Sequence, residues 1–241
     1  MPSRRTVGFL ALAVAVPLGI YAVINLLKFG TLFSVPYDHQ GVNALVAGRK
    51  EVLAANNGTL VNVKALPTNL VQYLRPDAFR LSGSWPWVRL PSGQPHVFGD
   101  LKYDLLDHTS SVTATMPALV VLALGGVVAI IRAAARRAAV TLRSLAVPVL
   151  GAACAAVPTL VFVYITERYI ADFLPLLVLP GLAGFHAFVA WARMRREGRG
   201  LVVVASVALG ALVLWSCVAN VSIARDYQVG RDQVKTFDSR S

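Results

Sequence analysis

Five long apolar runs dominate the pattern of hydrophobic and polar positions along this chain. Each contains about 20 residues or more, which is the length that an α-helix needs to cross roughly 30 Å of hydrocarbon. The pattern therefore predicts an all-α membrane protein with five transmembrane helices. The predicted helices are Thr6–Leu27, Val112–Ile131, Leu145–Ile165, Ile170–Ala192 and Leu201–Ala224.

The polar segment between the first two runs contains about 84 residues, too many for a simple connection between helices. We interpret it as an extracytoplasmic loop domain. Four parts follow from this division: an N-terminal cytoplasmic end with the first transmembrane helix (1–27), the extracytoplasmic loop domain (28–111), a four-helix transmembrane region (112–224) and an extracytoplasmic C-terminal tail (225–241).

Local signals inside the loop domain predict short elements. Pro67 favours the start of a helix and Pro76 its end, because proline is tolerated in the first turn of a helix and stops a helix that precedes it. The expected elements are a helix at Leu66–Leu74, helical spacing at Gln40–Ala55, a turn at Asn56–Gly58, a loop or short strand at Ser82–Pro95, and a helical face within Asp100–His108.

Composition and charge narrow the class of protein further. A mean hydropathy of +0.61 and an apolar fraction of 56% are too high for an ordinary soluble domain. The net charge of +11 could indicate a nucleic-acid-binding protein, but ten of the 23 basic residues lie in three short segments with a single acidic residue, Glu197. The remaining thirteen basic residues are nearly balanced by eleven acidic ones. The distribution therefore indicates a membrane protein and excludes nucleic acid as the expected partner.

Basic residues concentrated in alternate short connections are the positive-inside pattern of a multi-pass membrane protein. The three segments contain Arg4 and Arg5, then Arg132, Arg136, Arg137 and Arg143, and finally Arg193, Arg195, Arg196 and Arg199. We therefore expect a plasma-membrane protein with a cytoplasmic N-terminus and an extracytoplasmic C-terminus. The 28–111 segment and a tight 166–169 turn should lie outside, and membrane lipid is the expected partner.

The N-terminal run is longer than the apolar core of a usual signal peptide, so we expect an uncleaved first helix. Both cysteines, Cys154 and Cys217, fall inside predicted helices, where they are best interpreted as small packing residues. They indicate neither a disulfide framework nor a metal site, and no cofactor-binding motif is recognisable. Small residues, including Gly125, Gly126 and Gly184, are expected to let helices approach closely.

The densest polar group near a predicted helix is Thr166–Asp172. If the fourth helix begins at Arg168, then Arg168 and Asp172 share one face of it. One interpretation is an interfacial ion pair with Tyr169 as an aromatic anchor. The other is a lipid-phosphate site, in which Arg168 holds the phosphate as a fork of donors and Glu167 or Asp172 orients it.

Five further positions are candidates of lower specificity. Asp38 and His39 could perform acid–base chemistry, or could simply cap a helix next to the membrane. His186 lies inside a predicted helix and could be a functional site or a neutral side chain bonded to a neighbouring helix. Trp85 and Trp87 could stack on a sugar or rest on the membrane.

Two stretches resemble a known family. Residues 167–177, ERYIADFLPLL, look like the helix start "RY-hydrophobic-x-x-x-x-P" in the C-terminal half of polytopic GT-C glycosyltransferases. Residues 28–40, KFGTLFSVPYDHQ, resemble the "N-x-x-x-FG-x-x-F-x-x-P" segment of large actinobacterial membrane proteins of that kind. Together these stretches cover about a tenth of the chain.

The resemblance implies a polyprenyl-phosphate-linked sugar donor and glycosyl transfer on the outer face. Of the family's functional residues, the resemblance implies a role here for Arg168 alone, as a lipid-phosphate contact. It identifies no catalytic residue. The family's catalytic carboxylate lies in the first outer loop of a chain with about eight or more helices, whereas five are predicted here. This departure suggests the C-terminal part, or a split half, of a membrane glycosyltransferase-like protein, with further helices supplied by a membrane-protein partner.

Two functions therefore stay open. One is glycosyltransferase-like activity in cell-envelope glycan assembly with a contact to a polyprenyl-phosphate lipid. The other is a non-enzymatic multi-pass subunit whose outer domain binds a partner protein or an envelope glycan. A transporter is less compatible with the sequence, because it shows no inverted repeat and few charges within the predicted helices.

The predicted orientation can be tested by labelling intact cells. Ser92→Cys should react with a membrane-impermeant thiol reagent, whereas Arg196→Cys should react only after the membrane is permeabilised. Labelling of position 196 but not of position 92 in intact cells would reverse the orientation.

Overall fold

The computed structural model describes residues 4–33, 48–135, 140–195 and 199–238. The chain is mostly helical, and its contacts divide it into two compact units, Met1–Leu60 and Val61–Ser241. The division falls at Leu60, inside the predicted 28–111 segment. Asp38 and His39 lie outside the described residues, as does the first half of the Gln40–Ala55 stretch.

The first unit contains helices α1 (Arg4–Phe29) and α2 (Arg49–Ala55). Gly30 follows α1 with a φ of 71°, and its N–H donates to the carbonyl of Leu26 at 3.0 Å. This left-handed position closes the helix at a residue that has no Cβ to clash. The turn predicted at Asn56–Gly58 is confirmed, with positive φ angles of 55° at Asn57 and 77° at Gly58.

The second unit contains the remaining helices of the described chain. They are α3 (Leu66–Leu74), α4 (Val112–Thr115), α5 (Pro117–Ala135), α6 (Val140–Ser144), α7 (Ala146–Val161), α8 (Leu174–Met194) and α9 (Arg199–Asp238). The predicted helix at Leu66–Leu74 is confirmed, with Pro67 in its first turn. Two 3₁₀ helices, Val63–Ala65 and Glu167–Phe173, precede α3 and α8.

Five stretches of helix are long enough and apolar enough to cross a membrane. They are Ala11–Phe29, Pro117–Ala135, Leu142–Val161, Glu167–Met194 and Arg199–Gln228. Each contains most of one of the five runs identified in the sequence. The prediction of five such helices is therefore confirmed.

Four two-residue strands form two small ladders. β1 (Arg80–Leu81) pairs antiparallel with β2 (Val88–Arg89), in agreement with the loop or short strand expected in this region. β3 (Leu105–Leu106) pairs in parallel with β4 (Tyr164–Ile165). The prediction of a helical face within Asp100–His108 is wrong, because this segment is extended and β3 is its only regular element.

The predicted tight turn at 166–169 is also wrong. The connection between α7 and α8 runs from Phe162 to Phe173 and contains β4 followed by the 3₁₀ helix. Apolar composition alone extended the predicted helix as far as Ile165. The structure instead places Ile165 in the β3–β4 ladder and Val163 directly before it, and both side chains are fully buried.

Helices α5 and α8 pack closely because two glycines remove side chains from their contact. A Cβ placed on Gly126 would lie 1.7 Å from the carbonyl oxygen of Pro180, and one on Gly184 would lie 1.9 Å from that of Leu122. The close approach expected at Gly126 and Gly184 is confirmed, since a backbone contact of this kind is open only to glycine. Gly125, the neighbour of Gly126, would meet nothing within 4 Å.

This difference gives a matched pair of variants. Gly126→Ala should destabilise the helix pair by about 1–3 kcal/mol or more, because the two backbones must separate. Gly125→Ala should be neutral, or should stabilise by up to about 1 kcal/mol through helix propensity. Unfolding of both variants in the same detergent provides the comparison, and equal stabilities would contradict the close α5–α8 contact.

Candidate functional site

The candidate site lies where α7 ends and the 162–173 connection begins. The last carbonyl groups of an α-helix have no partner within the helix. Here the side-chain amide of Asn69, on α3, donates to the carbonyl oxygens of Leu160 at 3.0 Å and Phe162 at 2.9 Å. The carbonyl of Thr159 lies 3.4 Å from the same nitrogen. Asn69 is fully buried, so it replaces water as the donor at this helix end.

A tyrosine fixes the orientation of this amide. The Tyr103 hydroxyl donates to Oδ1 of Asn69 at 3.0 Å and lies 3.3 Å from the carbonyl of Ala65. Burial raises the pKa of Tyr103 above its ordinary value, so the hydroxyl stays protonated as a donor at physiological pH. The amide therefore presents its nitrogen, and not its oxygen, to the end of α7.

Backbone hydrogen bonds hold the connection from both sides. The amide of Asn62 donates to the carbonyl of Val161 at 2.7 Å, and Val61 forms a bridge with Phe162. On the other side, the amide of Asp104 donates to Val163 at 2.8 Å and that of Asp107 donates to Ile165 at 3.0 Å. Segments 61–62 and 104–107 therefore enclose residues 161–165.

Glu167 is half-buried and faces the 104–111 segment. One carboxylate oxygen accepts from the backbone N–H of Ser110 at 2.7 Å, and the other accepts from its hydroxyl at 2.5 Å. Ser110 is fully buried. Glu167 had been predicted as a group that could orient a phosphate, but the structure uses both of its oxygens to join the 162–173 connection to the 104–111 segment.

Asp172 is bound to α7 and not to Arg168. Its Oδ2 accepts from the hydroxyl of Thr159 at 2.9 Å. No ion pair within 4.0 Å joins Asp172 to Arg168, although the structure describes both residues. The interpretation of Arg168 and Asp172 as an interfacial ion pair is therefore wrong. The reason is the 3₁₀ geometry, in which residues four apart no longer share one face.

Arg168 is exposed and rests on aromatic rings. Its guanidinium carbon lies 5.3 Å from the ring centre of Tyr169 and 6.0 Å from that of Tyr164. Phe162 completes the aromatic group, with ring centres 5.9 to 6.1 Å apart across the three pairs. Stacking over ring faces orients an arginine and leaves the N–H groups at its edge able to bind an anion.

The other sequence candidates are dispersed. His186 lies on an exposed face of α8, and no hydrogen bond joins it to another described residue. The interpretation of His186 as a side chain bonded to a neighbouring helix is therefore wrong. Trp85 and Trp87 form an edge-to-face pair at the β1–β2 hairpin. In the described ranges no group of three or more His, Cys, Asp or Glu side chains is close enough to hold a metal ion.

The sequence matches no protein-family model, and no curated protein or solved structure is detectably similar to it. The site must therefore be interpreted from its own geometry.

Sequence reasoning missed the polar residues that build the site. Thr68, Asn69 and Gln72 are all buried on α3, although a short amphipathic helix normally buries its apolar residues. Gln72 donates to the carbonyl and the hydroxyl of Thr109 at 3.1 and 2.7 Å, and Thr68 accepts from the amide of Phe98 at 3.0 Å. The three- and four-residue spacing of these positions could have revealed them, since it places the polar side chains on one face of a helix.

Asn69 allows a direct test of this network. Asn69→Leu keeps the approximate size of the side chain but removes its donor, leaving the partly buried carbonyls of Leu160 and Phe162 without this partner. We expect a loss of about 1–3 kcal/mol in stability for each group left unsatisfied.

Val71→Ala, at an exposed position of the same helix, is the control and should change stability far less. Equal unfolding midpoints for the two variants in one detergent would contradict the role assigned to Asn69.

Proposed function

We propose that this chain is a glycosyltransferase-like plasma-membrane protein of cell-envelope glycan assembly, and that Arg168 binds the phosphate of a polyprenyl-phosphate lipid. The five apolar helices cross the bilayer, with the N-terminus in the cytoplasm and the C-terminus outside. The arginine-rich connections support this orientation. The resemblance of residues 167–177 to glycosyltransferase helix starts supports the chemical class. The proposal assigns no catalytic residue.

The environment of Arg168 is the observation that carries the lipid contact. Its two acidic neighbours are both engaged elsewhere, Glu167 with Ser110 and Asp172 with Thr159. The arginine is left exposed on Tyr164 and Tyr169, with no carboxylate of the described chain within ion-pair distance. A cation that is oriented but not neutralised is suited to an external anion.

The position along the chain suits a phosphate attached to a long apolar chain. Arg168 belongs to the first turns of the Glu167–Met194 stretch, at the end where an apolar span would meet the headgroup layer. An exposed apolar stripe follows on α8, formed by Leu174, Val178, Leu182 and Phe185. These residues recur every three or four positions and so share one helical face. The polyprenyl chain lies along this stripe while its phosphate meets Arg168.

The neighbouring residues take indirect roles in this proposal. Tyr169 orients the guanidinium by stacking. Glu167 and Asp172 fix the connection through Ser110 and Thr159, without contacting the phosphate themselves. An arginine held in this way donates two parallel hydrogen bonds to phosphate oxygens, which a lysine cannot do.

Replacement of the arginine by lysine tests the proposal. Each charge-assisted hydrogen bond that is lost should cost about 1.5–3 kcal/mol. Arg168→Lys should therefore weaken binding of a polyprenyl phosphate to the purified protein by about tenfold or more.

Arg195→Lys is the matched control. Arg195 also stacks on an aromatic ring, with its guanidinium carbon 5.7 Å from the ring centre of Trp191, but it lies just beyond the opposite end of α8. The Arg195→Lys protein should bind the lipid with the same affinity as the wild type. The lipid-phosphate contact would be contradicted if Arg168→Lys and Arg195→Lys bound equally well, or if the wild type did not bind.

A further inference from the structure

The β1–β2 hairpin presents an aromatic pair at its tip. Arg80 pairs with Arg89 and Leu81 with Val88, and the amide of Ser82 donates to the carbonyl of Trp87 at 2.8 Å. Between these strands, Trp85 and Trp87 are 48% and 52% exposed, with ring centres 5.0 Å apart and planes at 80°. Leu81 beside them is 67% exposed. The tip therefore carries an apolar surface, and its transfer out of water is favourable.

The base of the hairpin is attached to α9. Val88 is buried against Ala219 and Ile223, and the amide of Leu90 donates to Asp226 at 3.1 Å. Before the first strand, the ring of Phe79 meets that of Trp215 edge-on, with centres 5.1 Å apart. These contacts fix the hairpin beside the second half of α9.

Hydrogen bonds between α9 and α4 give the depth of this attachment. Asn220 donates to the carbonyl of Thr115 at 2.8 Å, two residues before α5 begins at Pro117. Ile223 and Asp226 lie three and six residues farther along α9, which corresponds to about 5 and 9 Å of helix. The headgroup layer on each side of the hydrocarbon is about 5–8 Å thick. Val88, which packs on Ile223, is therefore at headgroup depth if α5 crosses the bilayer, and Leu90, which is bonded to Asp226, lies at the outer edge of the headgroup layer.

The charges of the hairpin have one sign. Residues 78–99 contain Arg80, Arg89 and His96 but neither aspartate nor glutamate. Arg80 is exposed, and Arg89 is fixed beside the tip because its Nε donates to the carbonyl of Pro86 at 3.2 Å. Tryptophan and arginine together suit the interfacial layer, where rings settle at the headgroups and guanidinium groups attract anionic lipid.

We propose that the tip of the β1–β2 hairpin is a membrane-docking surface that inserts Trp85 and Trp87 into the interfacial layer and binds anionic lipid headgroups through Arg80 and Arg89. The exposed aliphatic Leu81 favours a lipid surface over a glycan, because a sugar offers it no apolar partner. This docking rests on the membrane placement proposed above, and it is independent of the phosphate contact at Arg168.

An environment-sensitive NBD label at the tip tests the docking. In a chain whose two cysteines are replaced by alanine, Ser84→Cys carries the label, and the protein is placed in lipid nanodiscs so that both membrane faces are accessible. The nanodiscs contain phosphatidylcholine, alone or with about one-third phosphatidylglycerol. At Ser84 the label should be reduced by dithionite several-fold more slowly than at Ser92→Cys, beyond the base of the hairpin. It should also be quenched by lipids that carry a nitroxide near the headgroup.

Arg80→Gln measures the contribution of charge. Removal of one arginine near an anionic surface should lower the ratio of protected to exposed label by about fivefold in the anionic nanodiscs, and should change it little in phosphatidylcholine alone. The same protection with and without this arginine in anionic nanodiscs would overturn the headgroup contact.

A third label, at Leu124→Cys on the exposed face of α5, separates the two proposals. Protection at Leu124 together with rapid reduction at both Ser84 and Ser92 would overturn the docking and leave the membrane placement intact. The tip would then face water, as a glycan-binding surface requires. Rapid reduction at Leu124 as well would overturn the membrane placement itself.

Discussion

The carbonyl groups at the end of α7 impose the constraint on which this end of the helix bundle depends. A helix that stops beside an apolar environment must find donors for its last carbonyls, because water is not freely available there. Asn69 supplies the donors from a helix about 90 residues earlier in the chain. Without it, the chain could not leave α7 and enter the β3–β4 ladder at acceptable cost.

The geometry of the connection follows from this anchoring. Because residues 161–165 are enclosed by the segments at 61–62 and 104–107, the chain reaches α8 through a 3₁₀ helix instead of a short turn. The 3₁₀ helix directs Glu167 toward Ser110 and leaves Arg168 exposed on its tyrosines. The exposed cation is thus a consequence of buried polar contacts on both sides of it.

The sequence predicts what depends on local pattern, and it misses what depends on distant partners. Apolar length located the five long helices, and two prolines located α3 at its observed bounds. The extended segment at 100–108 escaped prediction because its leucines are placed by a parallel ladder with residues 164–165, which no local spacing reveals. Arg168 is exposed, and its supposed partner Asp172 binds Thr159 instead. That error arose from assuming α-helical spacing in a 3₁₀ segment.

We expect the three segments 61–75, 104–111 and 161–173 to unfold as one cooperative assembly around Asn69. Amide hydrogen exchange at Asn62, Asp104 and Asp107 tests it most directly, because these three groups donate across the segment boundaries. In the wild type all three should exchange slowly and at similar rates, and in Asn69→Leu all three should lose protection together. Fast exchange in the wild type, or loss of protection at Asn62 alone in the variant, would contradict the account.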